Sequence, residues 1–162
     1  MKNCFSENTK EHILVCLSSA PSNTKIIQTA AAMARAFHAS FSALYVKTPA
    51  SEYMETEDKN RLLANIHFAE KYGATIVTAC GDDVPFQIAE YARLSGITKI
   101  VIGRSVVGKR RFIGKPTLTE KLISLAPNVD IHIIPDSDAV IAKGKKTLFE
   151  KPHFAKLLKG LA

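Results

Sequence analysis

The stretch that decides how this chain folds is KIVIGRSVVGKRRFIGKPT, residues 99–117. Ile100, Val101 and Ile102 make an unbroken apolar run, the mark of a strand covered on both faces. Directly after it come three glycines (103, 108, 114) and five cations, Arg104, Lys109, Arg110, Arg111 and Lys115. Such a loop is either a solvated turn or an anion site. Glycines let backbone N–H groups approach a ligand, and arginine adds a planar fork suited to phosphate oxygens. It is not a Walker A loop, because Pro116 follows Gly114-Lys115 where a Ser or Thr is required. The rest of the chain has to choose.

Outward from that stretch the same unit recurs. HILVCL (12–17) is a second continuous apolar run; Pro21-Ser22-Asn23 breaks it, and Ser22 or Asn23 can cap a helix. Ile26, Ile27, Ala30, Met33, Ala34 and Phe37 then recur at helical spacing. SFSALYV (40–46) predicts a strand, and residues 51–72 a long helix with Leu62, Leu63, Ile66 and Ala69 inward. Its acid-rich first turn suits the helix dipole. TIVTA (75–79) and a helix from Val84 follow, with Asp82 or Asp83 as N-cap and Gly96 as stop. Leu118, Leu122, Ile123 and Leu125 predict a short helix, and DIHII (130–134) the last strand.

Five strands alternating with four helices predict an α/β fold: an open five-stranded parallel sheet with helices on both faces, Rossmann-like. If the chain winds outward from strand one and then reverses, the strand order is 3-2-1-4-5. The pattern alone does not fix that order. It matters because ligands in open parallel sheets sit at the carboxyl ends of strands, where the winding reverses. In that order the crevice lies between Ser18-Ser19-Ala20-Pro21 and the basic loop.

Composition bounds the function. The chain has 162 residues, 46% hydrophobic and 23% charged, which suits one globular domain. We divide it into an N-terminal extension (1–10), the folded domain (11–136) and a basic tail (137–162) whose interleaved apolar residues suit an amphipathic segment. The formal charge is +7, but residues 143–162 hold six lysines against Glu150 alone, so +5 of it lies in the tail. No specific nucleic-acid partner is expected from so local a charge. The polar N-terminus is no secretory signal, and three scattered cysteines suit a reducing cytosol. The expected location is therefore cytoplasmic, with the tail a means of approaching an anionic membrane.

The candidate site residues are few. Ser18 and Ser19 are hydroxyls just past a buried strand, equally suited to capping a turn. Phe41, Ala43 and Tyr45 share one strand face; such a triplet is usually core, yet Ala43 could leave a slot for a flat base. His12 and His132 read as structural, the histidines show no metal-ligand spacing, and no Ser/His/Asp or Cys/His set assembles. No catalytic residue and no metal is expected.

The successions HILVCLSSAPSNTKIIQTAAAMA, FSALYV, GDDVPFQIAEYARLSGITKIVIGRS and NVDIHIIP resemble the universal stress protein domain, in particular the version within Kdp-type potassium-sensing histidine kinases. The likeness covers about residues 11–135 and implies the order 3-2-1-4-5. ATP-binding members carry an Asp at the end of strand one, where this chain has Ser18. They also carry a Gly-x-x-Gly, nine residues, Gly-Ser/Thr loop, which the glycines here do not reproduce. A pattern associated with cyclic di-AMP in some Kdp sensor domains is Ser-x-Ser, twenty residues, then Phe-Thr-Ala-x-Tyr. Ser18-Ser19-Ala20, residues 21–40 and Phe41-Ser42-Ala43-Leu44-Tyr45 keep its spacing, with Ala20 for the second serine and Ser42 for the threonine.

The resemblance therefore implies a non-enzymatic, nucleotide-sensing regulatory domain of a potassium- or osmotic-response sensor kinase system. Its expected ligand is cyclic di-AMP, with ATP as the alternative, held by Ser18, Ser19, Phe41, Ser42, Ala43, Tyr45, Gly103, Arg104, Ser105, Lys109 and Arg110. A homodimer paired through the fifth strand, and a kinase or membrane-anchored partner domain, are the expected associations.

Overall fold

A computed structural model describes residues 10–104, 114 and 116–135. Ser105, Lys109, Arg110, Arg111, Lys115 and the tail lie outside the described residues, as does the N-terminal extension except Lys10.

The strands are β1 (His12–Cys16), β2 (Ser40–Lys47), β3 (Thr75–Cys80), β4 (Lys99–Gly103) and β5 (Asp130–Ile134). They form one sheet in the order β3-β2-β1-β4-β5, every neighbouring pair parallel. The winding reverses between β1 and β4, as the resemblance implies. Helices α1 (Asn23–Ala36), α2 (Thr56–Lys71), α3 (Val84–Leu94) and α4 (Leu118–Leu125) connect them, with a 3-10 turn at Pro49–Tyr53.

Strand alternation splits the core into two layers. Ile13, Val15, Phe41, Ala43 and Val101 pack with Ile26, Ile27 and Ala30 of α1 and Ala69 of α2. Leu14, Leu44, Val46, Ile100 and Ile102 pack with Ile88 and Ala92 of α3 and Leu122 of α4. Ile13, Leu14, Val15, Ile100 and Val101 are wholly buried, and each such side chain stabilises the fold by roughly 1.5–3 kcal/mol.

Local chemistry sets the helix ends. Asp83 accepts a 3.2 Å hydrogen bond from the Phe86 N–H, so it is the N-cap of α3. Thr117 and Glu120 form a reciprocal capping box that starts α4. Gly73 and Gly96 adopt φ of +88° and +63° just past α2 and α3, a conformation costly for residues with a Cβ.

Two expectations change. The long second helix divides at Met54; Leu62, Ile66 and Ala69 do face inward, joined by Asn65, while Leu63 is 54% exposed. Phe37 lies past the end of α1, half exposed, with the Lys99 ammonium 5.3 Å from its ring centre.

Candidate functional site

At the carboxyl ends of β1, β2 and β4 lies a cleft of about 270 Å³. Its floor is apolar: Cys16 of β1, Leu44 and Val46 of β2 and Ile102 of β4, with Val84 and Ile88 of α3 as one wall. Its rim is polar, with Ser18 and Ser22 on one side and Gly103 and Arg104 on the other. Arg104 is the one charged side chain among the described residues that line it. The ends of β1 and β4 singled out by the winding rule therefore do share a cleft, through Ser18 and through Gly103 and Arg104. Burial pushes the Cys16 thiol up to about 12, so the floor is uncharged at neutral pH. Desolvation disfavours the thiolate.

The Ser18–Ala20 loop is held by buried amides. Asn23, 1% exposed, accepts from the Ser18 N–H at 3.1 Å and donates to the Cys16 carbonyl at 3.4 Å. Asn65 of α2 donates to the Ser18 carbonyl at 2.8 Å and to that of Ala20 at 3.4 Å. The Arg61 Nε–H donates to the Ser19 carbonyl at 3.1 Å. Glu57 and Asp58 both pair with that guanidinium and, through the Asp58 hydrogen bond first, raise its pKa further. Arg61 is thus a neutralised clamp, leaving Arg104 as the open cation of the cleft among the described residues. The expectation that Ser22 or Asn23 caps α1 is replaced by this arrangement: Ser22 makes no side-chain cap, and Asn23 turns back to the strand end.

Gly103 has a packing role as well as a place on the rim. A Cβ there would stand 2.5 Å from the terminal methyl of Ile26, so a larger residue would make that side chain shift. Arg104 continues the sheet by donating its N–H to the Ile134 carbonyl at 2.8 Å.

The structure does not bring every expected residue to the cleft. Phe41 is level with Ile13, near the amino end of β1, and Ser42 with Leu14, at its middle. Each residue advances a strand by about 3.3 Å, so both stand far below Ser18. Ser42, 3% exposed, donates its hydroxyl to His12 Nε2 at 2.8 Å, and His12 Nδ1–H donates to the Ser95 carbonyl at 3.1 Å. Ala43 is wholly buried against α1 and α2. Tyr45 shares that face and donates its hydroxyl to Ser51 Oγ at 2.9 Å. The cleft opens on the opposite face of β2, so Leu44 and Val46 line it instead. Alternation grouped 41, 43 and 45 correctly, but periodicity does not say which face carries the opening. Asn65 had a readable signal: it interrupts the apolar stripe of α2 at an inward register.

His12 is satisfied as expected, whereas His132 Nε2 is buried without a partner among the described residues. Among those residues no group of three or more His, Cys, Asp or Glu could hold a metal ion, and no helix is long and apolar enough to cross a membrane.

No family model matches the chain. It is 37% identical over 131 residues, 80% of its length, to the sensor protein KdpD of Clostridium acetobutylicum. It is 27% identical over 123 residues to KdpD of Escherichia coli. In each case the chain spans only 14% of the relative's length. Among solved structures it is similar to a universal stress protein in complex with cAMP (TM-score 0.57, 18% identity, covering 79% of this chain and 98% of that one). A second is the universal stress protein of Archaeoglobus fulgidus in complex with dAMP (TM-score 0.51, 21% identity, 78% and 98%). The chain therefore has the universal stress protein fold and is similar in sequence to a segment of the KdpD sensor proteins.

Proposed function

We propose that this chain is a nucleotide-sensing regulatory domain of a potassium- or osmotic-response sensor kinase system, acting by binding rather than catalysis, with cyclic di-AMP as its ligand. The observation that carries the reading is the cleft at the winding reversal: an uncharged apolar floor under a rim of Ser18, Ser22 and Arg104. Apolar walls with a few placed polar groups are the general make-up of small-molecule sites. A base fits the floor, and its phosphates face Arg104. Structural neighbours solved with cAMP and dAMP support an adenine nucleotide. Ser18 stands where the ATP-binding universal stress proteins carry an Asp at the end of the first strand, and that departure favours the cyclic dinucleotide over ATP.

Calorimetry with cyclic di-AMP, ATP and AMP tests this at fixed salt. Saturable binding with the dinucleotide preferred is the expected result. A preference for ATP replaces the ligand with the alternative, and absence of saturable heat from all three at millimolar concentration removes the proposal.

A second reading, pairing of two copies, is favoured by β5. It is an edge strand, and Ile133 on it is 43% exposed. Ultracentrifugation is expected to show a dimer; a monomer at high concentration ends that reading.

A further inference from the structure

We infer that Asn65 and Arg61 of α2 are positioning residues for the ligand, fixing the Ser18–Ala20 loop so that it holds the Ser18 hydroxyl ready over the apolar floor. The inference rests on the nucleotide-binding reading above and adds residues that touch no ligand.

The hydrogen-bond ledger of the loop leads there. Asn23 takes the Ser18 N–H, Asn65 takes the Ser18 and Ala20 carbonyls, and Arg61 takes the Ser19 carbonyl. The Ala20 N–H donates to Ser18 Oγ at 3.3 Å, and the Ala20 carbonyl also accepts from the Asn23 N–H at 3.1 Å. Among the described residues this leaves the hydroxyl hydrogen of Ser18 unengaged on the cleft; the Ser19 N–H and hydroxyl are unengaged too, but Ser19 is not among the residues that line the cleft. Every carbonyl that could face a ligand is turned to α1 or α2, and the groups left over can all donate. A loop so arranged suits acceptor oxygens, those of phosphate or ribose. Holding it in advance spares the ordering cost at binding.

Both clamps come from one helix, and their character differs. Asn65 is 7% exposed and bridges two carbonyls. Arg61 lies at the surface, fixed by Glu57 at 2.5 Å and by Asp58. A guanidinium already matched by two carboxylates adds little attraction for an anion, so its effect on binding passes through the Ser19 carbonyl.

The test uses the full chain carrying Asn65→Ala, Asn65→Asp or Arg61→Ala, each at a temperature where circular dichroism shows it folded. Hydrogen exchange of the Ser18, Ser19 and Ala20 amides is followed without ligand, and affinity for cyclic di-AMP and AMP is measured beside it. Expected results are at least tenfold faster exchange of the Ser18 and Ala20 amides and about tenfold weaker nucleotide binding in the Asn65 variants. Arg61→Ala is expected to weaken binding about threefold with unchanged thermal stability, and Arg61→Lys to behave like it, because it keeps the charge but lacks the Nε–H. Exchange and affinity both at wild-type levels in folded variants overturn the inference, as does faster exchange with unchanged affinity, which marks a structural clamp only. If Asn65→Ala does not fold, Arg61→Ala decides alone. Failure of the parent proposal is separate: wild-type protein then binds no nucleotide.

Discussion

The two ends of the parallel sheet are built from the same residue types and handle their polar groups in opposite ways. At the amino end, Ser42, His12, Thr98 and Glu11 are tied to one another or to the backbone: Ser42 to His12, His12 to Ser95, and Thr98 to both the His12 amide and Glu11. Lys99 is bound there by Asp130 at 2.8 Å and Glu11 at 3.5 Å. At the carboxyl end the carbonyls are equally well satisfied, but a donor and Arg104 are left facing a cleft. At the amino end the named groups are bound within the fold, which is a structural use of polar side chains. An end that leaves the Ser18 hydroxyl and the Arg104 guanidinium facing a cleft is prepared for a guest that brings acceptors.

The largest expected effect comes from Phe41 at the amino end. Phe41→Ala should cost about 3 kcal/mol in denaturant unfolding, the usual scale for emptying a core aromatic. Nucleotide affinity of the folded protein should not change. A loss of affinity without a matching loss of stability would break the distinction between the ends.

Arg104→Ala should do the reverse. Charge-assisted hydrogen bonds contribute about 1.5–3 kcal/mol, so calorimetry should show at least a tenfold weaker dinucleotide and an unfolding midpoint within error of wild type.

Ser42→Ala removes the donor to a half-buried imidazole and should cost about 1 kcal/mol, again without altering affinity. Should binding collapse, Ser42 would belong to the site after all.

The cysteines sharpen the comparison by chemistry. Cys80 is exposed and Cys16 sits in the cleft floor, so a thiol reagent should modify Cys80 promptly and Cys16 slowly, slower still with nucleotide bound. Because burial raises the Cys16 pKa to about 12, its neutral thiol favours the fold fully below the ordinary thiol pKa of about 8.5. That contribution is lost as the pH climbs towards about 12. Cys16→Ala should lose this alkaline component.

The smallest effect is at the Lys99–Asp130 pair. The Lys99 hydrogen bond lowers the Asp130 pKa, so its stabilisation is present above the ordinary carboxylate range and fades on acidification. The side chain is 68% exposed, and Asp130→Asn should move the midpoint by no more than about 1–2 °C, the scale of surface pairs.

Much of this was legible in the residues. The runs HILVCL and KIVI, the helix between them with its stripe from Ile26 to Ala34, and the caps at Asp83 and Gly96 follow from periodicity and local hydrogen bonding. Strand order did not follow from pattern, because right-handed crossovers permit several windings; the likeness to universal stress proteins supplied it. The site was half legible. Ser18 and Arg104 share the cleft because the winding rule places the ends of β1 and β4 together. Ala43 and Tyr45 missed the cleft because alternation is symmetric between faces, and only the packing of α3 and α4 shows which side opens. Phe41 and Ser42 missed it because β2 starts level with His12 and needs six residues to reach the depth of Ser18. Asn65 went unread because a lone amide in a helix looks like surface until its partners are placed.

The measurement that tests the central claim most directly is a nuclear magnetic resonance titration of the isotopically labelled chain with cyclic di-AMP, read residue by residue. The claim predicts shifts concentrated at Ser18–Ala20, Leu44, Val46, Gly103 and Arg104. Shifts concentrated instead at His12, Phe41, Ser42 and Ser95 would contradict it.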